Sequence, residues 1–472
     1  MSIDITWVDG FVASISHYIY VRRRDSLLIL LPNQAYKLNR TGRELLDRTI
    51  RGQSIVSVLE SRKVGSSKDE QVLDDVHSFF CDLRSLVMGC LGEGTGRRAV
   101  EEAPFERPHN LLPVLSEIAL TYRCNLSCRF CYAGCRCRAD SHESTKDRRH
   151  EGRPFSFRRS VTEGEMSTQQ VRRVLGIIRR DADVPSVSWT GGEPTLRDDL
   201  VELTRYAVEI GLRVNLITNA TMLTPRLVRD LREAGLSSAQ VSLEGPDAQV
   251  HDSLTRVSGS FDRTVAGLGL LQDAGLHVHT NTTVNRVNAP HLEGIVDLAM
   301  ELGMKRLSMN MVIPCGAATA PASLPTRRGQ NGGAGPLTMT YTHIAPIVEQ
   351  VRRKARAAGI QFTWYSPTPY CIYNPVAAGL GGKSCAACDG LLSVAPDGEV
   401  LPCSSLPEGV GNLLTSGFDR VWNSRRARYW REKRYAHRLC RACEQFDLCT
   451  GACPIYWKAM GCRELTVREA VA

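Results

Sequence analysis

The chain reads as an α/β protein whose parallel sheet is curled, as in a partial (β/α)6 TIM-like barrel, or doubly wound; a winged-helix-like α+β module precedes it and a loop-rich, cysteine-dense segment follows. Three observations predict this. Strand-like and helix-like runs alternate from Val114 to about Cys315, as a parallel sheet requires, which puts ligands at the C-terminal strand ends. Three strand-like runs and then three helix-like runs fill the first ~90 residues. From about residue 366 the chain turns rich in cysteine and poor in periodic segments.

The elements follow in order. Residues 1–92 form the first module: strands in "ISHYIYVRR", "SLLILLP" and "QAYKL", then Asn39 and Thr41 as stop and cap signals before the short amphipathic helix "GRELLDRTI". Helices in "QSIVSVLESR" and "KDEQVLDDVHSFFCDLRSLVMGCL" complete it. Gly92, Gly94, Gly96 and "RPHNLLP" mark a linker over 93–113. The barrel spans 114–315, with strands in "LSEIALTY", "SVSWTGG", "RVNLITNA", "AQVSLEG", "HVHTNTTV" and "RLSMNMVI". The basic loop 135–160 interrupts it. An insertion loop and a bridging helix, "YTHIAPIVEQVRRKARAAG", occupy 316–365, and the cysteine-rich domain covers 366–472.

Bulk properties bound the function. The 472 residues carry 59 basic and 50 acidic side chains, a net +9 that is mild for the length. The arginine runs "VRRRD" and "KDRRHEGRPFSFRRS" read as solvated faces or loops, with attraction of an acidic partner as the alternative. No apolar run approaches the ~20 residues of a membrane span, and "MSIDITWVDG" shows no secretory pattern. Seventeen cysteines in such a chain indicate metal or redox chemistry in a reducing compartment, the cytoplasm.

The cysteines fall into two constellations. In "LTYRCNLSCRFCYAG" Cys124, Cys128 and Cys131 follow the first barrel strand at spacings of four and three. A [4Fe–4S] cluster normally takes about four thiolates, so three leave one iron open. This triplet, with Phe130 before its third cysteine, resembles the radical S-adenosylmethionine (SAM) superfamily. The resemblance implies that SAM fills the open iron through its amino and carboxylate groups. An electron from the cluster then cleaves the sulfonium, and the 5′-deoxyadenosyl radical abstracts hydrogen from substrate. "WTGGEP" is similar to the family's GGE motif: Gly191 and Gly192 permit close backbone approach, Glu193 is an acceptor for the SAM ammonium, and Pro194 closes the turn. "VSLEGPDAQVHDSLTRVSGSF" resembles a run of the peptide-modifying branch, which implies Ser242 at the SAM ribose and Arg256 at its carboxylate. Glu244 stands where an aspartate is commoner, and Asn219, ending "LITN", is a further candidate for the same pocket.

The second constellation is "CAACDGLLSVAPDGEVLPC" and "CRACEQFDLCTGACPIYWKAMGC". It looks like the SPASM domain of radical SAM enzymes that modify peptides and proteins, against zinc held by two CxxC pairs as the plain alternative. The resemblance implies two auxiliary [4Fe–4S] clusters, three in all. Cys385, Cys388, Cys403 and Cys453 would hold the first; Cys440, Cys443, Cys449 and Cys462 the second. Cys371 is an alternative to Cys388. Of the remaining cysteines, Cys81 and Cys90 read as small hydrophobes on a helix, Cys135 and Cys137 as loop thiols, and Cys315, ending the sixth strand, as a possible catalytic thiol.

The first module resembles the small chaperone of pyrroloquinoline quinone biosynthesis, through its strand pair, "AYKLNRTG" turn and terminal helix near Leu91. Such elements bind the leader of a precursor peptide as an added strand, where main-chain bonds give affinity and alternate side chains give register. The expectation is an enzyme that matures a ribosomally made peptide, bound through its leader at residues 1–92 and supplied with electrons by a flavodoxin or ferredoxin. The product bond is carbon–carbon or a cysteine thioether. Alternatives are formylglycine formation or tetrapyrrole side-chain oxidation and, in another class, an iron–sulfur redox sensor with a DNA-binding wing. Neither a membrane nor a nucleic acid is the expected partner.

Overall fold

The computed structural model describes residues 3–31, 34–61, 70–88, 111–134, 164–319 and 335–466. The readings made for Cys90, Cys135, Cys137, the basic loop and most of the insertion loop lie outside them. The chain divides into two compact units, Met1–Leu115 and Ser116–Ala472.

The first unit opens with a helix that the sequence reading lacked. In α1 (Trp7–Ile15) Val8, Val12 and Ile15 recur at helical spacing and are buried; the run is short and holds Gly10, which masked the pattern. The antiparallel strands β1 (Ile19–Arg22), β2 (Leu27–Leu30) and β3 (Gln34–Lys37) follow in the spatial order β1-β2-β3. Asn39 starts α2 (Arg40–Ile50) by accepting the Gly42 N–H at 2.7 Å, which satisfies a donor the helix cannot. The next helix, α3 (Ile55–Ser61), begins with the Ile55 N–H donating to Asp9 at 2.8 Å. With α4 (Glu70–Met88) these elements close a core of Val8, Val12, Leu46, Ile55, Val58 and Phe80.

The "RRR" run is a solvated face only in part: Arg23 and Arg24 are exposed and Arg22 is not. Arg22 is fully buried: it pairs with Asp25 at 2.8 Å and donates to the carbonyls of Leu112 and Pro113, at 3.0 and 2.5 Å. Arg23 pairs with Asp47. Burial costs a guanidinium its hydration, so Arg22 survives there only with its donors met.

The second unit is built on a ten-stranded sheet. Strands β4 (Leu115–Thr121), β5 (Ser186–Gly191), β6 (Arg213–Thr218), β7 (Ser238–Ser242), β8 (His277–Val284), β9 (Arg306–Met311) and β10 (Gln361–Trp364) run parallel in sequence order. Six strands match the expected barrel; β10 is a seventh, within the segment read as bridging. Helices α5 (Thr168–Arg180), α6 (Leu200–Glu209), α7 (Pro225–Glu233), α8 (Ala248–Thr255), α9 (Ser260–Asp273), α10 (Leu292–Glu301) and α11 (Tyr341–Ala357) make the crossovers. Their starts are written locally: Ser167 with Gln170 forms a capping box on α5, while Thr224, Asp247 and Thr340 cap α7, α8 and α11. The sheet then continues past β4 through β11 (Leu391–Val394), β12 (Glu399–Leu401) and β13 (Gly411–Asn412), contributed by the cysteine-rich region. The Ser393 hydroxyl donates to Glu117 of β4 at 2.7 Å, and the Met166 N–H to the Pro396 carbonyl at 2.7 Å. The cysteine-rich region is thereby fastened to the strand that delivers the Cys124 loop.

Candidate functional site

Cys124, Cys128 and Cys131 leave the C-terminal end of β4 on a loop held from three sides. From α8, the carbonyls of Thr255 and Leu254 accept the N–H groups of Ser127 and Arg129 at 3.1 and 2.9 Å. From the end of β5, the N–H groups of Gly192 and Glu193 donate to the carbonyls of Thr121 and Arg123 at 2.8 and 2.9 Å. From the turn after β9, the Ala317 N–H donates to the Cys131 carbonyl at 2.9 Å. Burial raises the Cys128 thiol well above its ordinary pKa, and the nearby charges of Cys131, Glu244 and Cys124 raise it further. A buried thiol flanked by two more suits a cationic cluster, which would hold all three as thiolates.

Both glycines of "WTGGEP" are required by contact. A Cβ on Gly191 would lie 2.2 Å from the Thr121 carbonyl oxygen, and its φ of +123° is open only to glycine; one on Gly192 would lie 2.1 Å from the Arg123 oxygen. Glu193 is completely buried. Its Oε1 accepts from the Thr195 N–H and hydroxyl and from the Thr218 hydroxyl, at 3.1, 2.7 and 2.8 Å. Oε2 accepts from the Asn219 N–H at 2.8 Å. Burial raises its pKa, against these four bonds. They make Glu193 a strut between the ends of β5 and β6, and Pro194 continues it into a short 3-10 turn.

Asn219 carries the strut to the cysteines. Its Nδ2 donates to Asn125 at 2.9 Å and lies 4.0 Å from the Cys124 sulfur, while its Oδ1 accepts from Thr221. Ser242 ends β7. Glu244, two residues on, is buried and accepts the Thr283 N–H at 2.8 Å; burial pushes its carboxyl up to about 8. The Glu244 N–H donates to His251 Nδ1 at 3.2 Å. Arg256 sits in the left-handed region (φ +60°) just past α8, next in the chain to Thr255, whose carbonyl holds the cysteine loop. Gly191, Glu193, Asn219 and Ser242 thus stand at or just past the C-terminal ends of β5, β6 and β7, whereas Arg256 follows helix α8.

The C-terminal cysteines sort into two sets. Burial raises Cys403 well above its ordinary range, and the charges of Cys385, Cys453 and Cys315 add to the rise. Cys440, pushed up to about 12 by burial, feels Cys449, Cys371, Cys443 and Cys462. Cys371, offered by the sequence as an alternative in the first set, lies with the second; its neighbour Tyr370 donates its N–H to the Cys449 sulfur at 3.4 Å. Cys388 is fully buried; burial pushes its thiol up to about 12, against the charges of Arg431 and Lys433, and its N–H donates to the carbonyl of Pro402, next to Cys403, at 3.2 Å. Between Cys449 and Cys453, Thr450, Gly451 and Ala452 have φ of +58°, +74° and +63°. Such a run is costly for a β-branched residue; here the Thr450 hydroxyl is fixed by the Cys385 N–H at 3.1 Å. Tyr341 and Tyr456, with ring centroids 4.0 Å apart, back Cys453. Sequence spacing singled out eight of these cysteines; the approach of the Cys371 segment to Cys449 comes from a distant loop. Among the described residues no helix is long and apolar enough to cross a membrane.

Comparison with known proteins identifies the domains and the fold. Residues 118–310 match the radical SAM superfamily and residues 385–444 the SPASM iron–sulfur cluster-binding domain. A PqqA peptide cyclase of Ruegeria pomeroyi is 30% identical over 72% of this chain and 82% of its own. An AdoMet-dependent heme synthase of Oleidesulfovibrio alaskensis is 29% identical over 70% and 80%. The crystal structure of Streptococcus suis SuiB bound to the precursor peptide SuiA shares the fold, with a TM-score of 0.60 at 15% identity over 94% of this chain and 98% of that one. The fold and site define an enzyme that uses SAM and iron–sulfur clusters. The chain belongs to the radical SAM superfamily, in the branch that carries a SPASM domain.

Proposed function

We propose that this enzyme matures a ribosomally made precursor peptide, which it holds by the leader on residues 1–92. The observation that carries the reading is the coupling, in one chain, of the SAM-site barrel and SPASM domain to a separate unit of three antiparallel strands and four helices. A short sheet with strand edges can take an extended peptide as a further strand. Two similarities support the choice: the peptide cyclase at 30% identity, and a peptide-bound neighbour whose fold spans nearly the whole chain.

Three [4Fe–4S] clusters fit the three thiol sets: Cys124, Cys128 and Cys131; a set around Cys385, Cys403 and Cys453; and Cys440, Cys443, Cys449 and Cys462. The first cluster with SAM supplies hydrogen-atom abstraction, and the auxiliary pair supplies sites for the second electron. The protein's part is positioning. Gly191 and Gly192 let the backbone of β5 press on the cysteine loop, Glu193 fixes β5 to β6, and Asn219 braces Cys124. Ser242 and Arg256 are assigned to the ribose and carboxylate of SAM, and Glu244 is a buried carboxyl beside Cys128. A flavodoxin or ferredoxin is the assigned electron donor.

The heme synthase relative favours a second reading, oxidation of a tetrapyrrole. Anaerobically reconstituted enzyme, reduced and given SAM, decides between them. The peptide reading expects 5′-deoxyadenosine and a mass change in a precursor peptide encoded beside the gene, with the mass change lost on deletion of residues 1–92. Turnover of a tetrapyrrole without peptide binding overturns it, as does full modification by the truncated enzyme.

A further inference from the structure

We propose that Lys433 raises the reduction potential of the iron–sulfur cluster that Cys385 helps to hold, and that Asp389 moderates the effect. The role rests on the cluster-binding reading of the C-terminal domain and is independent of what the enzyme modifies.

Lys433 follows the helix Arg425–Arg431 by two residues, and its side chain is only 1% exposed. Its Nζ donates to the Cys385 carbonyl at 2.6 Å and lies 3.2 Å from Asp389 Oδ2. The backbone is shaped for this inward reach. Its φ of +53° is unfavourable for a residue with a side chain. The turn is closed by the Lys433 N–H on the Trp430 carbonyl at 3.1 Å and the Ala436 N–H on the Lys433 carbonyl at 2.9 Å. From the other side, the Cys385 N–H donates to the Thr450 hydroxyl at 3.1 Å. The main chain of Cys385 and the ammonium beside it are therefore fixed together.

Arg431 does the matching work at the other end of the Cys385–Cys388 segment. Its Nε donates to the Cys388 carbonyl at 2.9 Å and a second nitrogen to the Trp422 carbonyl at 2.5 Å, while its guanidinium lies 4.5 Å over the Trp422 ring. The two cations differ in solvent. Arg431 is half-buried and Lys433 is buried, so Lys433 carries the less screened charge.

A buried ammonium forfeits its hydration and needs compensation. The carbonyl and Asp389 supply it, and a cluster that turns more negative on taking an electron would add to it. Cluster potentials answer to the charge and hydrogen bonding around them. An ammonium held on a ligand's main chain favours the reduced state and raises the potential. Asp389, with its side chain 18% exposed, acts in the opposite sense and is more screened. A raised potential suits this site to accept the electron given up when the substrate radical, left by hydrogen abstraction, is oxidised.

The test is a redox titration of anaerobically reconstituted full-length enzyme with dithionite, followed by electron paramagnetic resonance. The SAM-site signal is set apart by its response to SAM. K433M is expected to move one auxiliary cluster to lower potential, and D389N to move the same cluster to higher potential. Each shift is expected to be about tenfold in the ratio of reduced to oxidised cluster at a fixed potential, about 59 mV for one electron. The SAM-site potential is expected to stay in place. A lysine that only fastened the turn would not give shifts of opposite sign. If K433M loses the cluster, D389N decides, and an unchanged or lowered potential there overturns the proposal. Unmoved potentials in both variants, or shifts of the same sign, also overturn it. Wild-type enzyme without any auxiliary signal overturns the cluster reading and the proposal with it. No peptide or turnover enters these readouts, so their outcome is separate from that of the peptide reading.

Discussion

Replacing Gly192 by Ala tests the close approach that fixes the cysteine loop. The backbone of Gly192 is outside the positive-φ region, so the substitution is a contact perturbation without a conformational one. Its new Cβ would lie 2.1 Å from the Arg123 oxygen and 2.7 Å from the Arg123 carbonyl carbon. Both are main chain and must retreat by roughly 1 Å to reach ordinary contact. Retreat breaks or stretches the Gly192–Thr121 and Glu193–Arg123 hydrogen bonds. At about 1 kcal/mol each, the loss is about 2 kcal/mol, before any strain. Cys124 is the next residue after Arg123, so the first cluster ligand moves with it. The expected result is a Tm lower by a few degrees and loss of the SAM-site cluster, read as iron per chain. Gly10→Ala is the control: nothing lies within 4 Å of its Cβ, so helix α1 gains about 0.5–1 kcal/mol. A G192A protein with wild-type Tm and iron content would refute the argument that this contact sets the loop.

Three further outcomes are expected. His251 is almost wholly buried and held down to about 4 by that burial, from an ordinary value near 6.5. The unfolded chain therefore takes up the proton first, and stability falls as pH drops from about 6.5 to about 4, by roughly 3 kcal/mol in all; H251N should flatten this limb of the pH dependence of urea unfolding. Arg22→Met leaves Asp25 as a buried, unpaired charge and the Leu112 and Pro113 carbonyls without their donor, so the first unit should lose about 3–5 kcal/mol, seen as an earlier thermal transition. Asn39→Ala removes the cap of α2 and should cost about 1 kcal/mol by the same measurement, with Asn39→Ser recovering most of it.

Much of the molecule was legible because its signals are local. The β/α alternation placed six parallel strands, and the Asn39 cap is written within three residues of where it acts. The triplet Cys124, Cys128 and Cys131 and the GGE motif need only be at strand ends to converge, since parallel strands bring their C-terminal ends to one edge. Helix α1 was missed because nine residues with a glycine give a weak period, and β10 because four residues give no period at all. The burial of Arg22 was missed for a different reason: its partners include carbonyls some 90 residues away.

The sequence by itself determined the superfamily and the presence of a SPASM domain, because the spacing of motifs within a loop is a property of the chain alone. Only the tertiary structure decided which distant segments meet. The Arg22 guanidinium reaches the Leu112 and Pro113 carbonyls, the Ala317 N–H the Cys131 carbonyl and the Tyr370 N–H the Cys449 sulfur, each across tens of residues or more, and nothing in local spacing encodes such meetings.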